Sequence, residues 1–100
     1  MGFFQSIKEQ LFGVPTDYKA LIKAGAVVVD VRSPQEFQSG HAKGSKNIPL
    51  QNIEAKAKQF KGKEVILVCK SGMRASQAKS ILTRNGVTCH NAGAWQSVKS

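Results

Sequence analysis

Acidic residues are scarce in this chain. Six Asp and Glu stand against fifteen Lys and Arg, which leaves a formal charge of +9. Such a balance draws anions: nucleic acid, an anionic membrane surface or a small anionic substrate. Aromatic rings that stack on bases are also few, with one Trp and one Tyr. The basic residues are scattered, not gathered into an arm, and no nucleic-acid motif accompanies them, so nucleic acid is not expected as a partner. Cys69 and Cys89 are too few for a disulfide framework. They also lack metal-ligand spacing, with only His90 adjacent. A reducing compartment suits them, and a cytoplasmic location is expected. No run approaches the ~20 apolar residues that a spanning helix needs. The N-terminus lacks the zones of a secretory signal. Met1 to Ser6 fits a loose myristoylation pattern, but that pattern is short and matches by chance, so no membrane partner is expected. Repeats, linkers and low-complexity segments are missing, and the length suits one domain.

What is present reads as helices alternating with strands. Phe3, Ile7 and Leu11 are spaced by four, which predicts an amphipathic helix over 3–12, ended by Gly13 and Pro15. That makes residues 1–15 an N-terminal helical extension and 16–100 the domain proper. The extension reads as packed on the domain, in preference to lying in a membrane interface. Thr16 is a candidate cap for a helix over 17–23, with Tyr18, Leu21 and Ile22 facing inward. Ala26-Val27-Val28-Val29 is an uninterrupted, mostly β-branched run, as suits a strand buried on both faces of a parallel sheet. Ser33, Pro34 and Glu36 form a capping box with proline at the first helical position. Asn47 to Leu50 predicts a short strand and 51–60 a helix. Val65 to Val68 is a second buried strand, Ala75 to Arg84 a helix closed by Asn85-Gly86, and Val87 to Asn91 a last strand. Trp95 to Val98 starts a terminal helix. The alternation implies an α/β fold, a central, mostly parallel sheet of five strands with helices on both faces.

The chemistry concentrates at Cys69-Lys70-Ser71-Gly72-Met73-Arg74. A cysteine ends the apolar run 65–68, a polar turn with one glycine follows, and a helix begins. Ligands of parallel sheets bind at the carboxyl ends of strands. The first turn of a helix leaves N–H groups unpaired, and its dipole places roughly half a positive charge there. Successive loop amides add an anion-binding nest. Lys70 and Arg74 add full charges, and Gly72 supplies a backbone shape that other residues resist. Together these favour Cys69 as a thiolate, the nucleophilic form.

Four segments in order resemble the rhodanese-like domain family, in its single-domain thiosulfate sulfurtransferase type. They are 29–37 (Val29-Asp30-Val31-Arg32-Ser33-Pro34-Gln35-Glu36-Phe37), 40–49 from Gly40-His41 to Ile48-Pro49, the Cys69–Arg74 loop, and Asn91-Ala92-Gly93-Ala94-Trp95. The resemblance runs from about Thr16 to Val98. It implies sulfane-sulfur transfer, with Cys69 taking the outer sulfur of a small anionic donor such as thiosulfate. A thiol, cyanide or protein acceptor then removes that sulfur from the Cys69 persulfide. It implies no metal and no organic cofactor. Lys70, Ser71, Gly72, Met73 and Arg74 would bind the substrate. Ala75, Ala92 and Met73 depart from the family's commoner residues, and Met73 stands where some thiosulfate-using members carry a base.

Competing readings are a phosphatase or arsenate reductase, a sulfur-relay protein and a non-catalytic binding module. The first two enzymes separate Cys from Arg by five residues, whereas four separate Cys69 from Arg74. The presence of Cys69 argues against the binding module. Asp30 and Arg32 read as a buried ion pair supporting the strand end. Glu36 reads as a helix cap. His41 reads as a supporting residue bonded to nearby backbone, since a thiolate held by amides needs no base. Cys89 reads as a small core residue in preference to a resolving thiol, His90 as surface and Trp95 as packing.

Overall fold

The computed structural model describes residues 16–98; the helix expected over 3–12 lies outside them. Helix α1 (Tyr18–Lys23) leads to strand β1 (Val27–Asp30), helix α2 (Pro34–Gln38) and strand β2 (Lys46–Asn47). A continuous helical stretch follows, with a 3-10 turn (Leu50–Asn52), α3 (Ile53–Lys56) and a second 3-10 turn (Ala57–Phe60). Strand β3 (Glu64–Cys69), helix α4 (Met73–Arg84), strand β4 (Thr88–Ala94) and a 3-10 turn (Trp95–Val98) complete it. No helix among the described residues is long and apolar enough to cross a membrane.

The strands pair in the order β2-β1-β3-β4, all parallel. The sheet therefore has four strands among the described residues, not the five expected. Each β-branched or apolar run is already used, and the stretch ahead of β1 is helical. Asp17, not Thr16, caps that helix, its carboxylate accepting the Ala20 N–H at 3.1 Å. Ile22, expected inside, is 38% exposed. The predicted strand over 47–50 shortens to two residues because Pro49 has no N–H to donate and the chain turns there into a 3-10 helix.

β3 is the spine of the core. Its side chains alternate between the two faces, as the two-residue period of a strand requires. Val65, Leu67 and Cys69 join Val29, Ile53, Phe60, Ala75, Ala78 and Leu82 on one side, beneath α3 and α4. Ile66 and Val68 join Val28 on the other, covered by Tyr18, Leu21, Trp95 and Val98. An alternation of apolar residues on both faces explains the unbroken apolar run in the sequence. Val65 to Cys69 are buried without exception. At about 1.5–3 kcal/mol for each large apolar side chain, burial of this strand is a major contribution to folding.

The chain passes from β1 outward to β2, then returns to place β3 on the other side of β1. The direction of winding therefore reverses between β1 and β3, and a crevice opens at their carboxyl ends. Asp30 ends β1 and Cys69 ends β3, with Asp30 paired in register with Val68. The expected cysteine thus lies at the switch point.

Candidate active site

Cys69 is 1% exposed and closes the last turn of β3 against the head of α4. Its Sγ accepts the Gly72 N–H at 2.9 Å and, more distantly, the Ala75 N–H at 3.5 Å. Both amides belong to the opening turn of α4, where N–H groups lack helical acceptors. The helix starts at Met73, two residues before the start read from the sequence. No capping side chain marks that start, because Gly72 occupies the N-cap position with φ +106°. A β-carbon at Gly72 would also come within 3.3 Å of the Gly93 α-carbon. Gly72 is thus required twice, for its backbone shape and for a close approach of β4.

Asn91 fixes that approach, a role the sequence reading did not assign. Its Nδ2 donates to the Gly72 carbonyl at 3.0 Å, and its Oδ1 accepts the Gly93 N–H at 2.9 Å. The second bond is an Asx turn, and an Asn two residues before a Gly is the available signal for it. β4 runs on to Ala94, opposite Cys69, so the segment 91–94 is a wall of the cysteine loop.

The supporting charges are mutually paired. Asp30 is fully buried and binds Arg32 through both carboxylate oxygens, the shortest contact being 2.7 Å. Arg32 also donates to the Gly40 carbonyl at 2.7 Å and lies 5.0 Å from the Trp95 ring centre. This cluster ties the end of β1 to the 40–45 loop and the closing turn. Asn47 adds bonds to the Asp30 and Arg32 carbonyls at 3.0 and 2.9 Å.

Glu36 carries two functions where the sequence suggested one. It accepts the Ser33 N–H at 3.0 Å, completing the capping box of α2. It also binds Arg74 with two parallel bonds, at 2.7 and 3.1 Å. The Arg74 bond above all, then the Ser33 backbone bond, lowers the Glu36 pKa to about 2. Glu36 in turn raises the Arg74 pKa, with a smaller contribution from the Cys69 charge. Arg74 spends both terminal nitrogens on Glu36. No local signal links residues 38 positions apart in the chain, which is why the pair was not legible.

Lys70, Ser71 and Met73 are exposed at the mouth, and Met73 is 75% exposed. His41 is exposed and stands apart from the hydrogen bonds to the Cys69 Sγ; its Nδ1 contacts the Phe37 carbonyl at 2.7 Å and its ring stacks on Phe37 at 3.7 Å. His90, read as surface, is half-buried and pairs with Glu64. Cys89 lies opposite Val65, four residues before Cys69. At ~3.3 Å per residue the two cysteines are about 13 Å apart. A disulfide tolerates no more than ~7 Å between α-carbons, so Cys89 does not reach Cys69 within this fold.

Residues 14–100 match the family model of the rhodanese-like domain. The chain belongs to the rhodanese-like domain family. The thiosulfate sulfurtransferase PspE of Escherichia coli is 36% identical over 74 residues, covering 70% of this chain and 71% of that protein. An uncharacterized protein, YqhL of Bacillus subtilis, is 38% identical over 64 residues, covering 63% of this chain and 51% of its own. The chain thus spans about half the length of that relative. Among solved structures, a rhodanese with anions from E. coli superposes with a TM-score of 0.68 at 29% identity, over 74% of this chain and 92% of that one. The rhodanese-like resemblance read from four sequence segments is therefore the family of the whole described domain. Its relatives include sulfurtransferases and a putative sulfur carrier.

Proposed function

We propose that this chain is a sulfurtransferase that carries sulfane sulfur as a Cys69 persulfide, loaded from thiosulfate or a similar anionic donor. The observation that carries this reading is the Cys69 Sγ at the head of α4, under the Gly72 amide at 2.9 Å. The thiolate attacks the outer sulfur of thiosulfate and forms an S–S bond. The bond to the sulfonate sulfur breaks, and sulfite leaves with the electron pair. A thiophilic acceptor such as cyanide then attacks the terminal sulfur, and Cys69 departs as thiolate. One difficult displacement becomes two easier ones, with ping-pong kinetics expected.

The protein's part is fixed electrostatic stabilisation. The loop amides and the helix terminus hold negative charge on Sγ and, after loading, on the terminal sulfur. In this reading Lys70 and Ser71, both exposed, take the sulfonate end of the donor, and Gly72 and Met73 complete the loop. Arg74 lies beside the loop with its guanidinium held, and its charge answered, by Glu36. Asp30, Arg32 and His41 support the loop and strand ends from outside the reaction. The phosphatase reading is weaker on the same geometry. A phosphate needs a guanidinium fork, and Arg74 has committed its own to Glu36.

The test is intact mass after incubation with thiosulfate, with and without cyanide. A gain of about 32 Da that maps to Cys69, is discharged by cyanide and is lost in Cys69→Ser is expected. A folded, reduced protein that gains no sulfur from thiosulfate or another sulfane donor refutes the reading.

A further inference from the structure

Charge pairing leaves one sign of charge unanswered on this surface. Among the described residues, Asp30 and Glu36 are taken by Arg32 and Arg74, Glu54 by Arg84 and Glu64 by His90. Asp17 caps α1. No lysine among the described residues joins an ion pair. Each acid is thus used internally, and the lysines are left to face outward. At the mouth of the loop the two ion pairs close on themselves, and Lys70 is the uncompensated charge beside Cys69. Next to it stands Met73, 75% exposed, where packing against the protein would bury a side chain of this kind. Methionine at an exposed position adapts to the shape of a partner.

We infer that the mouth formed by Lys70 and Met73 is a docking surface for an acidic protein that presents a cysteine thiol, flanked by an apolar residue, as the sulfur acceptor. The inference rests on the sulfur-transfer reading and names its partner. Charge complementarity argues for the acidic partner, because a positive surface without internal neutralisation steers an acidic one and raises its rate of encounter. Burial argues for a thiol on a narrow segment. Cys69 itself is 1% exposed, and its persulfide carries the terminal sulfur ~2 Å beyond Sγ, so a protein thiol has to enter the mouth on a slender segment to meet it. RNA fits less well, since the exposed large apolar side chains among the described residues are Ile22 and Met73, neither of them a stacking ring. The step balances without an external oxidant. The acceptor thiolate attacks the terminal sulfur, a new S–S bond forms on the acceptor, the bond to Sγ breaks, and Cys69 leaves as thiolate with that electron pair.

The experiment loads Cys69 with thiosulfate and follows its discharge by mass onto short cysteine peptides. One peptide has Glu flanks and a Leu beside the Cys, a second has Lys in place of Glu, and a third has Ser in place of Leu. Cyanide, a small acceptor with no flanking side chains to dock, serves as the control for loading and turnover. The acidic peptide should discharge the persulfide on the order of tenfold faster than the Lys peptide at ~0.1 M salt. That gap should collapse at about 1 M salt, where the screening length is ~3 Å. The Leu peptide should outpace the Ser peptide, and Met73→Ser should erase that difference in a double-mutant cycle. Equal rates for all three peptides, with cyanide discharging normally, overturn the docking proposal and leave sulfur transfer standing. Failure to load from any sulfane donor overturns both. Binding of poly(U) RNA at ~0.15 M salt more tightly than the acidic peptide assigns the surface to nucleic acid and also overturns the proposal.

Discussion

Gly72→Ala tests the link between backbone and chemistry at the cysteine loop. Gly72 sits at φ +106°, and its β-carbon would meet the Gly93 α-carbon at 3.3 Å. An L residue in the left-handed region costs about 1–2 kcal/mol. The near contact is with backbone, so no rotamer relieves it, and an angle adjustment of several degrees adds about 1 kcal/mol. The sum of about 2–3 kcal/mol leaves a domain of this size folded but lowers its melting point by roughly 10–20 °C. Gly86→Ala is the control. Its φ is +78°, and nothing lies within 4 Å of the added carbon, so it carries the backbone cost alone, roughly 5–10 °C. The two differ in function. Moving the Gly72 amide off Sγ weakens a bond now at 2.9 Å, and displacing one such donor should slow loading from thiosulfate by tenfold or more, toward the ~100-fold of an outright deletion. Gly86 closes the far end of α4 and should leave loading unchanged. Calorimetry and single-turnover mass measurements read both effects. A Gly72→Ala protein that loads sulfur at the parent rate, or melts no lower than Gly86→Ala, refutes the reasoning.

Asp30→Asn strands the buried Arg32 charge and should cost about 3–5 kcal/mol in urea unfolding; a loss below about 1 kcal/mol would show that the pair is not needed. Arg74→Ala leaves the Glu36 carboxylate unanswered beside the loop, where it repels an anionic donor, so KM for thiosulfate should rise more than kcat falls, and adding Glu36→Gln should recover the loss. Unchanged thiosulfate kinetics would remove Arg74 from the site. Glu36 is a carboxylate whose pKa falls on folding to about 2 from an ordinary 4.5. Its stabilisation is therefore complete above the ordinary value and disappears as pH drops through the folded one. The melting-point gap between the parent and Glu36→Gln should be constant above pH 4.5 and close toward pH 2; a gap that persists at the acid end contradicts the assignment.

The parts of this fold legible in the sequence are those set by local patterns. Val27–Val29 and Val65–Val68 announce buried strands by unbroken apolar runs, and Ser33, Pro34 and Glu36 announce the start of α2. Cys69 is legible because a strand end, a glycine and a helix follow one another in the order that builds an anion site. What escaped notice depends on tertiary partners. β4 extends over Ala92 and Gly93, which have little strand preference, because β3 supplies the hydrogen-bonding edge up to Cys69. The start of α4 is hidden because a glycine in an unusual conformation does the work of a capping side chain. Residues 50–60 carry a helical apolar stripe, yet the backbone divides them between 3-10 and α turns, which the same stripe at Ile53, Ala57 and Phe60 satisfies equally.

The charges near the cysteine carry the least obvious consequence. Read from the sequence, Arg74 is a free cation five positions after a thiolate, and direct pairing with a substrate anion would follow. The fold instead supplies a carboxylate at 2.7 Å from α2, and a bidentate arginine–carboxylate pair is directional and hard to displace. A sulfonate in exposed solution competes poorly with that geometry, since its own charge is spread and hydrated. The attraction left for a donor comes from backbone amides and from Lys70. Amides are short-ranged and act only once the donor is seated, while the lysine acts at a distance and is screened by salt. Donor capture should therefore be salt-sensitive and the sulfur-transfer step should not be, a division that the pairing of Arg74 with Glu36 imposes on the site.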